Sequence, residues 1–404
     1  MHEILIFLHF ILMVLYILLI SFKLTKSTRS CFLDIYFYAS ILTFFYILIP
    51  SFLGITFGHS LGFFSKHVYF EASMIGFYFS FILFVCYFFN RVENYNLDCL
   101  RLYRFKSSVF FIKIFASIIF IYIIFLILIN FNDILNLNSR ADKSNFIFFV
   151  ENKYKIKALF AFQVLLVSFL SVLKRNLLYF AFMAPYVLFD LLLVNRSYIF
   201  SSFIVFFLVA AIINKPLKVR TGLFFILATL SIAVLRHPDQ FQLSHLVHLL
   251  GEFINTWSTL LLTLSSYEKH SFYQSISYFV LRIFPSFIYN NFIGEYSSWA
   301  AIPAGLKTVG FGLAGSILGE VVSFRNLFIV LVFPFVFVGY LQFIKLLFYK
   351  YSVFGLLVFI ISVMYLQQVF RYSFFELALY PFFVVIFYGF FLIVPSYLKA
   401  YKVR

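Results

Sequence analysis

The sequence predicts an all-α, polytopic integral membrane protein, and three observations carry that prediction. Hydrophobic residues make up 64% of the 404 and charged residues 11%, with a mean hydropathy of +1.01, far from the soluble norm. Runs of roughly twenty apolar residues recur, the length a helix needs to cross the hydrocarbon core. The runs are continuous rather than alternating, so their backbone groups must be satisfied within helices and not between barrel strands.

In order, the apolar runs are 4–22, 31–53, 69–89, 109–129, 158–173, 177–194, 197–213, 219–235, 327–347, 352–370 and 375–395, which predicts about eleven spans. No basic residue precedes the first run, and Lys23, Lys26 and Arg29 follow it without a small-residue cleavage site. It is therefore expected to be a retained helix and not a signal peptide. Cys31, Cys86 and Cys99 are odd in number and lack the clustered spacing of a metal site or disulfide framework, which points to packing.

Basic residues outnumber acidic ones 31 to 15, for a net charge of +16. On a soluble protein this would point to nucleic acid; here topology accounts for it and no nucleic-acid partner is expected. Lys23/Lys26/Arg29, Arg91/Arg101/Arg104/Lys106/Lys113, Lys174/Arg175, Lys215/Lys218/Arg220, Lys345/Lys350 and Lys399/Lys402/Arg404 crowd alternate short connections, the pattern of cytoplasmic loops. The connection around Lys66, the Asn130 to Lys157 loop, the turn at Asn195 and Arg196, the turn at Arg371 and residues 236–325 then lie outside. The chain is thus expected to be one transmembrane domain, 1–404, interrupted by a large external loop, 236–325, that carries amphipathic or re-entrant helices.

That interruption locates the expected site. The long insert has no counterpart in the first half, which weakens a carrier built from repeats. No Walker-type glycine loop, HExxH, GxSxG or Cys/His cluster is present, so ATPase, zinc protease and serine hydrolase readings lack support. Four arginines remain at span ends on the presumed outer face: Arg196, Arg236, Arg282 and Arg371. An arginine at the hydrocarbon boundary is costly unless it snorkels or pairs with an anion. Its guanidinium stays charged and grips phosphate oxygens in a bidentate fork, so a membrane-embedded pyrophosphate is the ligand these residues suit, with no metal or cofactor required.

Arg236 and Arg282 bracket a polar stretch. His245, His248 and Glu252 would share one helical face, a loose metal-ligand set whose simpler reading is the polar stripe of an interfacial helix with Leu246, Leu249, Leu250 and Phe253 toward lipid. His237, Asp239, Glu252 and Glu295 are candidates for a general base, and the choice among them stays open. Gly305, Gly310, Gly312, Gly315 and Gly319 lead into Glu320; the glycines fit close helix packing. Glu320, just before a span, needs a cation and reads as an orienting partner for an arginine.

The order of these features resembles the Wzy-type polymerases, which join lipid-linked oligosaccharide repeat units into O-antigen or capsule chains. A basic residue opening a span at Asn195-Arg196-Ser197, a span ending at Arg236, an external-loop arginine at Arg282 before Phe284-Pro285, a Gly-rich stretch from Gly310 to Glu320 and a late arginine at Arg371 carry the resemblance over most of the chain. Asn195 stands where that family often has glycine. The resemblance implies an undecaprenyl-pyrophosphate-linked glycan donor, the terminal sugar hydroxyl of a second lipid-linked glycan as acceptor, and a chain-length regulator and flippase as neighbours in the bacterial inner membrane. It assigns Arg236 and Arg282 as pyrophosphate clamps and His237 or a carboxylate such as Glu252 as assistant to the hydroxyl. Arg196, Arg371, Glu295 and Glu320 then hold substrate. O-antigen ligase, lipid-linked oligosaccharide flippase and membrane acyltransferase are the alternatives.

Overall fold

The computed structural model describes residues 2–61, 64–91, 108–137, 140–193, 197–215, 251–265, 271–281, 316–350, 352–371 and 373–389. Among these the regular elements are helices throughout. The N-terminal part comprises α1 (His2–Lys26), α2 (Thr28–Phe32), α3 (Ile35–Thr43), a π-helical turn (Phe44–Leu48), α4 (Ile49–Leu61) and α5 (Lys66–Phe89). Next come α6 (Val109–Ile129), α7 (Phe131–Leu135), α8 (Arg140–Tyr154), α9 (Ile156–Lys174), a 3₁₀ stretch (Leu177–Met183), α10 (Ala184–Leu192) and α11 (Ser197–Ile212). The insert contributes α12 (Gly251–Ser265), α13 (Phe272–Leu281) and α14 (Ile317–Ser323). The chain continues through α15 (Leu327–Tyr349), α16 (Val353–Arg371) and α17 (Phe374–Leu377) to α18 (Tyr380–Gly389).

Seven of these helices are long and apolar enough to cross a membrane: α1, the α3–α4 rod over Ile35–Gly58, α5, α6, α9, α15 and α16. The chain is a helical membrane protein. Three further expected spans correspond to shorter apolar helices, Leu177–Leu192, Ser197–Ile212 and Tyr380–Gly389, and 219–235 lies outside the described residues. The 3₁₀ stretch rises more per residue than an α-helix, so Leu177–Leu192 reaches roughly 28 Å, close to the hydrocarbon thickness of about 30 Å.

The chain forms two compact units. The first comprises Met1–Asn94, Leu246–Leu346 and Tyr365–Phe383. In it α1 buries Leu5, His9, Leu12, Tyr16 and Leu19, alternating steps of four and three that make one narrow seam. Its other face leaves Ile4, Phe7, Phe10, Ile17 and Leu18 exposed, as a lipid-facing surface does. Polar side chains lock the seam: Tyr16 donates to the Ser80 carbonyl at 2.8 Å, and His9 Nε2 lies 2.9 Å from Ser51 Oγ. His9 Nδ1 faces the Leu5 carbonyl at 2.8 Å; a carbonyl only accepts, so Nδ1 carries a proton. Small hydroxyl residues thus join α1 and α4, and Ser73 of α5 donates to the Ser51 carbonyl at 3.1 Å.

Helix α12 belongs to this unit as well and packs against α4, α5, the π turn and α14. Thr256, Trp257, Thr259, Leu260 and Leu261 are buried. The indole of Trp257 needs glycine beneath it: a Cβ at Gly54 would come within 2.9 Å of Nε1, and one at Gly76 within 3.2 Å of the ring.

The second unit comprises Tyr95–His245, Leu347–Met364 and Val384–Arg404. Helix α9 is its centre, buried almost all round from Phe160 to Val172 and packed against α6, α8, α11 and the 3₁₀ stretch. Gln163 explains part of that packing, since its amide donates to the Ala116 carbonyl at 3.2 Å and the Phe182 carbonyl at 3.1 Å. Phe160, Tyr186 and Tyr198 pack beside it in edge-on and tilted contacts, with centroids 4.7 to 5.7 Å apart.

Candidate functional site

Glu320 is fully buried. Ser316 caps α14, accepting from the Gly319 N–H at 3.3 Å, and so directs the first turn of the helix on which Glu320 lies. The Ser323 hydroxyl donates to the Glu320 carbonyl at 2.6 Å. The carboxylate accepts from the Ser373 hydroxyl, from the Phe374 N–H at 2.7 Å and from the Phe375 N–H at 3.4 Å. These are the first groups of α17, whose N–H donors lack intrahelical partners. A buried carboxylate costs several kcal/mol unless its lone pairs are occupied; here the helix start and a hydroxyl occupy them.

The capped residues are clamped by aromatic rings. Phe374 meets Phe333 at 5.4 Å and Tyr340 at 5.5 Å, edge on. Phe375 meets Phe324 at 5.6 Å. Phe279 of α13 packs on both, with centroids 5.8 and 5.9 Å away. Arg371, half-buried, ends α16 two residues before Ser373. The residue after Leu281, where α13 ends, is Arg282. One aromatic cluster therefore ties together the insert's carboxylate, the helix that ends in Arg371 and the helix that leads into Arg282.

The remaining residues expected from sequence fall elsewhere. Arg196, Arg236, His237, Arg282 and Glu295 lie outside the described residues, as do Asp239, His245 and His248. Glu252 is the second residue of α12; its side chain lies outside the described part. Among the described residues, no three His, Cys, Asp or Glu side chains gather as a metal site requires.

Arg325 has a local task. With φ of 52°, it donates to the Thr263 carbonyl at 2.6 Å and the Leu264 carbonyl at 3.4 Å, satisfying the last carbonyls of α12 with a cation. A small slot near Glu320, lined by Ile75, Phe79, Leu318, Val321, Phe333 and Pro334, measures about 10 Å³. That is room for one water and no larger ligand.

Sequence reasoning passed over Asp190 and Glu151. Asp190 is fully buried and Glu151 nearly so. The signal was present in Asp190, the one acid in the run 177–194, because an ionisable residue inside a span is a site candidate by default. It also passed over Asp34. Asp34 caps α3 through the Tyr36 N–H at 3.1 Å and accepts from Asn90 at 2.6 Å. Lys345 donates to the Asn90 side chain at 2.5 Å, and Lys23 to the Asn90 carbonyl at 3.2 Å. Burial is the largest influence on the Asp34 carboxyl and pushes it up to about 6.

No protein-family model, curated protein or solved structure matches the chain.

Proposed function

We propose that the protein is a repeat-unit polymerase. It joins undecaprenyl-pyrophosphate-linked oligosaccharides into O-antigen or capsular polysaccharide at the periplasmic face of a bacterial inner membrane. In this reading the spans number eleven, with the N-terminus outside and the arginines on the periplasmic side. The observation that carries it is the tie at Phe374 and Phe375 among Glu320, the end of α16 at Arg371 and the end of α13 before Arg282. A polymerase must hold two lipid-linked phosphates at one boundary, and arginines beside a buried aromatic support meet that need.

The chemistry is a glycosyl transfer. The acceptor hydroxyl oxygen attacks the donor's anomeric carbon and forms the new glycosidic bond. The bond from that carbon to the pyrophosphate oxygen breaks, and its electron pair leaves on undecaprenyl pyrophosphate. The hydroxyl proton passes to His237 or to a carboxylate such as Glu252. Negative charge grows on the leaving group, so guanidinium groups at Arg236 and Arg282 act mainly on the transition state. Arg196 and Arg371, with Glu295, hold the lipid-linked substrates, while Glu320, expected from sequence to hold substrate too, is buried with its carboxylate on the Ser373, Phe374 and Phe375 donors and acts only through the helix start after Arg371; no metal takes part.

Alanine at Arg236 or Arg282 should abolish long polymer while the protein still inserts, as read by a surface-polysaccharide gel beside an immunoblot of membranes. Full-length polymer in both variants would contradict the assignment.

A further inference from the structure

The buried acids of this chain are engaged within it. Asp190 accepts from the Tyr198 and Ile199 N–H groups at 2.7 and 2.9 Å, and Glu151 accepts from the Tyr198 hydroxyl at 2.5 Å and pairs with Lys157 at 2.9 Å. Polar groups still open to a ligand lie instead at the end of α16, within the first unit. There Tyr365, Leu366, Val369 and Phe370 are buried, while Gln367, Gln368 and Arg371 are half-buried. Helical geometry puts these three within about 100° of the helix surface, with Arg371 between the two glutamines and one turn beyond them. A side-chain amide half open inside a span is costly unless a polar group meets it.

Tyr46 meets part of that need. Gln367 Nε2 donates to the Tyr46 hydroxyl at 3.0 Å. Tyr46 is 2% exposed and lies in the π-helical turn Phe44–Leu48, a kind of turn that recurs at functional sites. Its ring leans on Phe370 at 6.5 Å, and Phe370 meets Phe79 and Phe337 edge on at 6.4 and 5.5 Å. One amide proton of Gln367 is thus held by a well-packed partner. A glutamine amide carries two such protons; among the described residues no acceptor meets the second, or either proton of Gln368.

We infer that Gln367, Gln368 and Arg371 form a subsite for the diphosphate of a lipid-linked glycan. The guanidinium takes one phosphate at the boundary. The remaining amide protons lie one turn deeper in the span, on side chains whose Cβ atoms are about 5 to 6 Å from that of the arginine, and take oxygens of the phosphate nearer the lipid. Tyr46 is a positioning residue: by accepting from Gln367 it holds the amide with its nitrogen, and not its carbonyl oxygen, in place for an anion. The inference rests on reading Arg371 as a substrate contact of the polymerase and adds what that contact selects. A monophosphate on the same lipid reaches the arginine but leaves the glutamines without a partner.

The test measures binding rather than product. Full-length protein purified in detergent is titrated with undecaprenyl pyrophosphate, undecaprenyl phosphate and inorganic pyrophosphate, and bound ligand is counted by native mass spectrometry. The wild type should hold the lipid diphosphate about tenfold more tightly than the lipid monophosphate, the factor one hydrogen bond to a charged group is worth. The double variant Gln367→Leu/Gln368→Leu should lose that preference by weakening the diphosphate lipid alone, and Tyr46→Phe should lose part of it. Equal binding of the two lipids by the wild type, or a preference unchanged in the double variant, would overturn the inference. Inorganic pyrophosphate held as tightly as the lipid diphosphate would also overturn it, since the ligand would then be the free anion. Should the double variant fail to fold, Gln368→Met decides alone: a reduced preference supports the subsite and an unchanged one overturns it. The underlying reading fails differently, because Arg371→Ala that binds both lipids as the wild type does refutes the substrate role of Arg371 itself.

Discussion

At the scale of single residues, the buried acids make the sharpest predictions. Glu320 holds two backbone N–H groups and a hydroxyl, so Glu320→Ala leaves donors without partners inside an aromatic cluster. It should destabilise the protein by about 2 to 3 kcal/mol and shorten or abolish polymer; an unchanged thermal midpoint of the detergent-purified protein would contradict the capping role. Asp34 makes a pH prediction. Its folded value, about 6, lies above the ordinary 3.8, so the folded state holds an extra proton between those values. Stability from this group is present at low pH and is lost as pH rises through that window. Asp34→Asn, which mimics the neutral form, should raise the thermal midpoint near pH 7 and change it little near pH 4. A midpoint lowered near pH 7 would contradict the linkage. Residue-level legibility was uneven: Glu320 stood out because it follows a glycine run at a span boundary. Asp190 was absorbed into an apolar run because its partners are backbone groups that no side-chain pattern reveals.

Among the elements, α12 changes the picture most. In sequence it is part of a mixed insert, yet its buried face, Trp257, Leu260 and Leu261, packs on α4 and α5 within the first unit. The match depends on glycines in helices far away in sequence, a relation that periodicity along one segment does not contain. Gly76→Leu should push the indole of Trp257 out of its seat, destabilise by about 1 to 3 kcal/mol and reduce polymer, because Glu252 lies on the same helix. Wild-type melting and a full ladder in this variant would show that the seat does not matter. The long spans were legible because continuous apolarity over about twenty residues has few other meanings. The break of Leu177–Leu192 into a 3₁₀ stretch and an α-helix was not, since both helices accept the same apolar residues.

For the whole molecule, charge and hydropathy established a helical membrane protein, and the distribution of lysine and arginine sets the expected orientation. A cysteine at Asn136, in the loop read as external, should react with a membrane-impermeant maleimide on intact spheroplasts, and one at Lys215 only after permeabilisation. The reverse pattern would invert the topology and move the arginines to the wrong face. The central claim is the activity, and a surface-polysaccharide gel on cells lacking this gene tests it most directly. The account predicts a lipid core carrying a single repeat unit, with the ladder of longer chains gone and restored by the wild-type gene. Loss of every repeat unit, which a missing ligase or flippase would cause, or an unchanged ladder would contradict it.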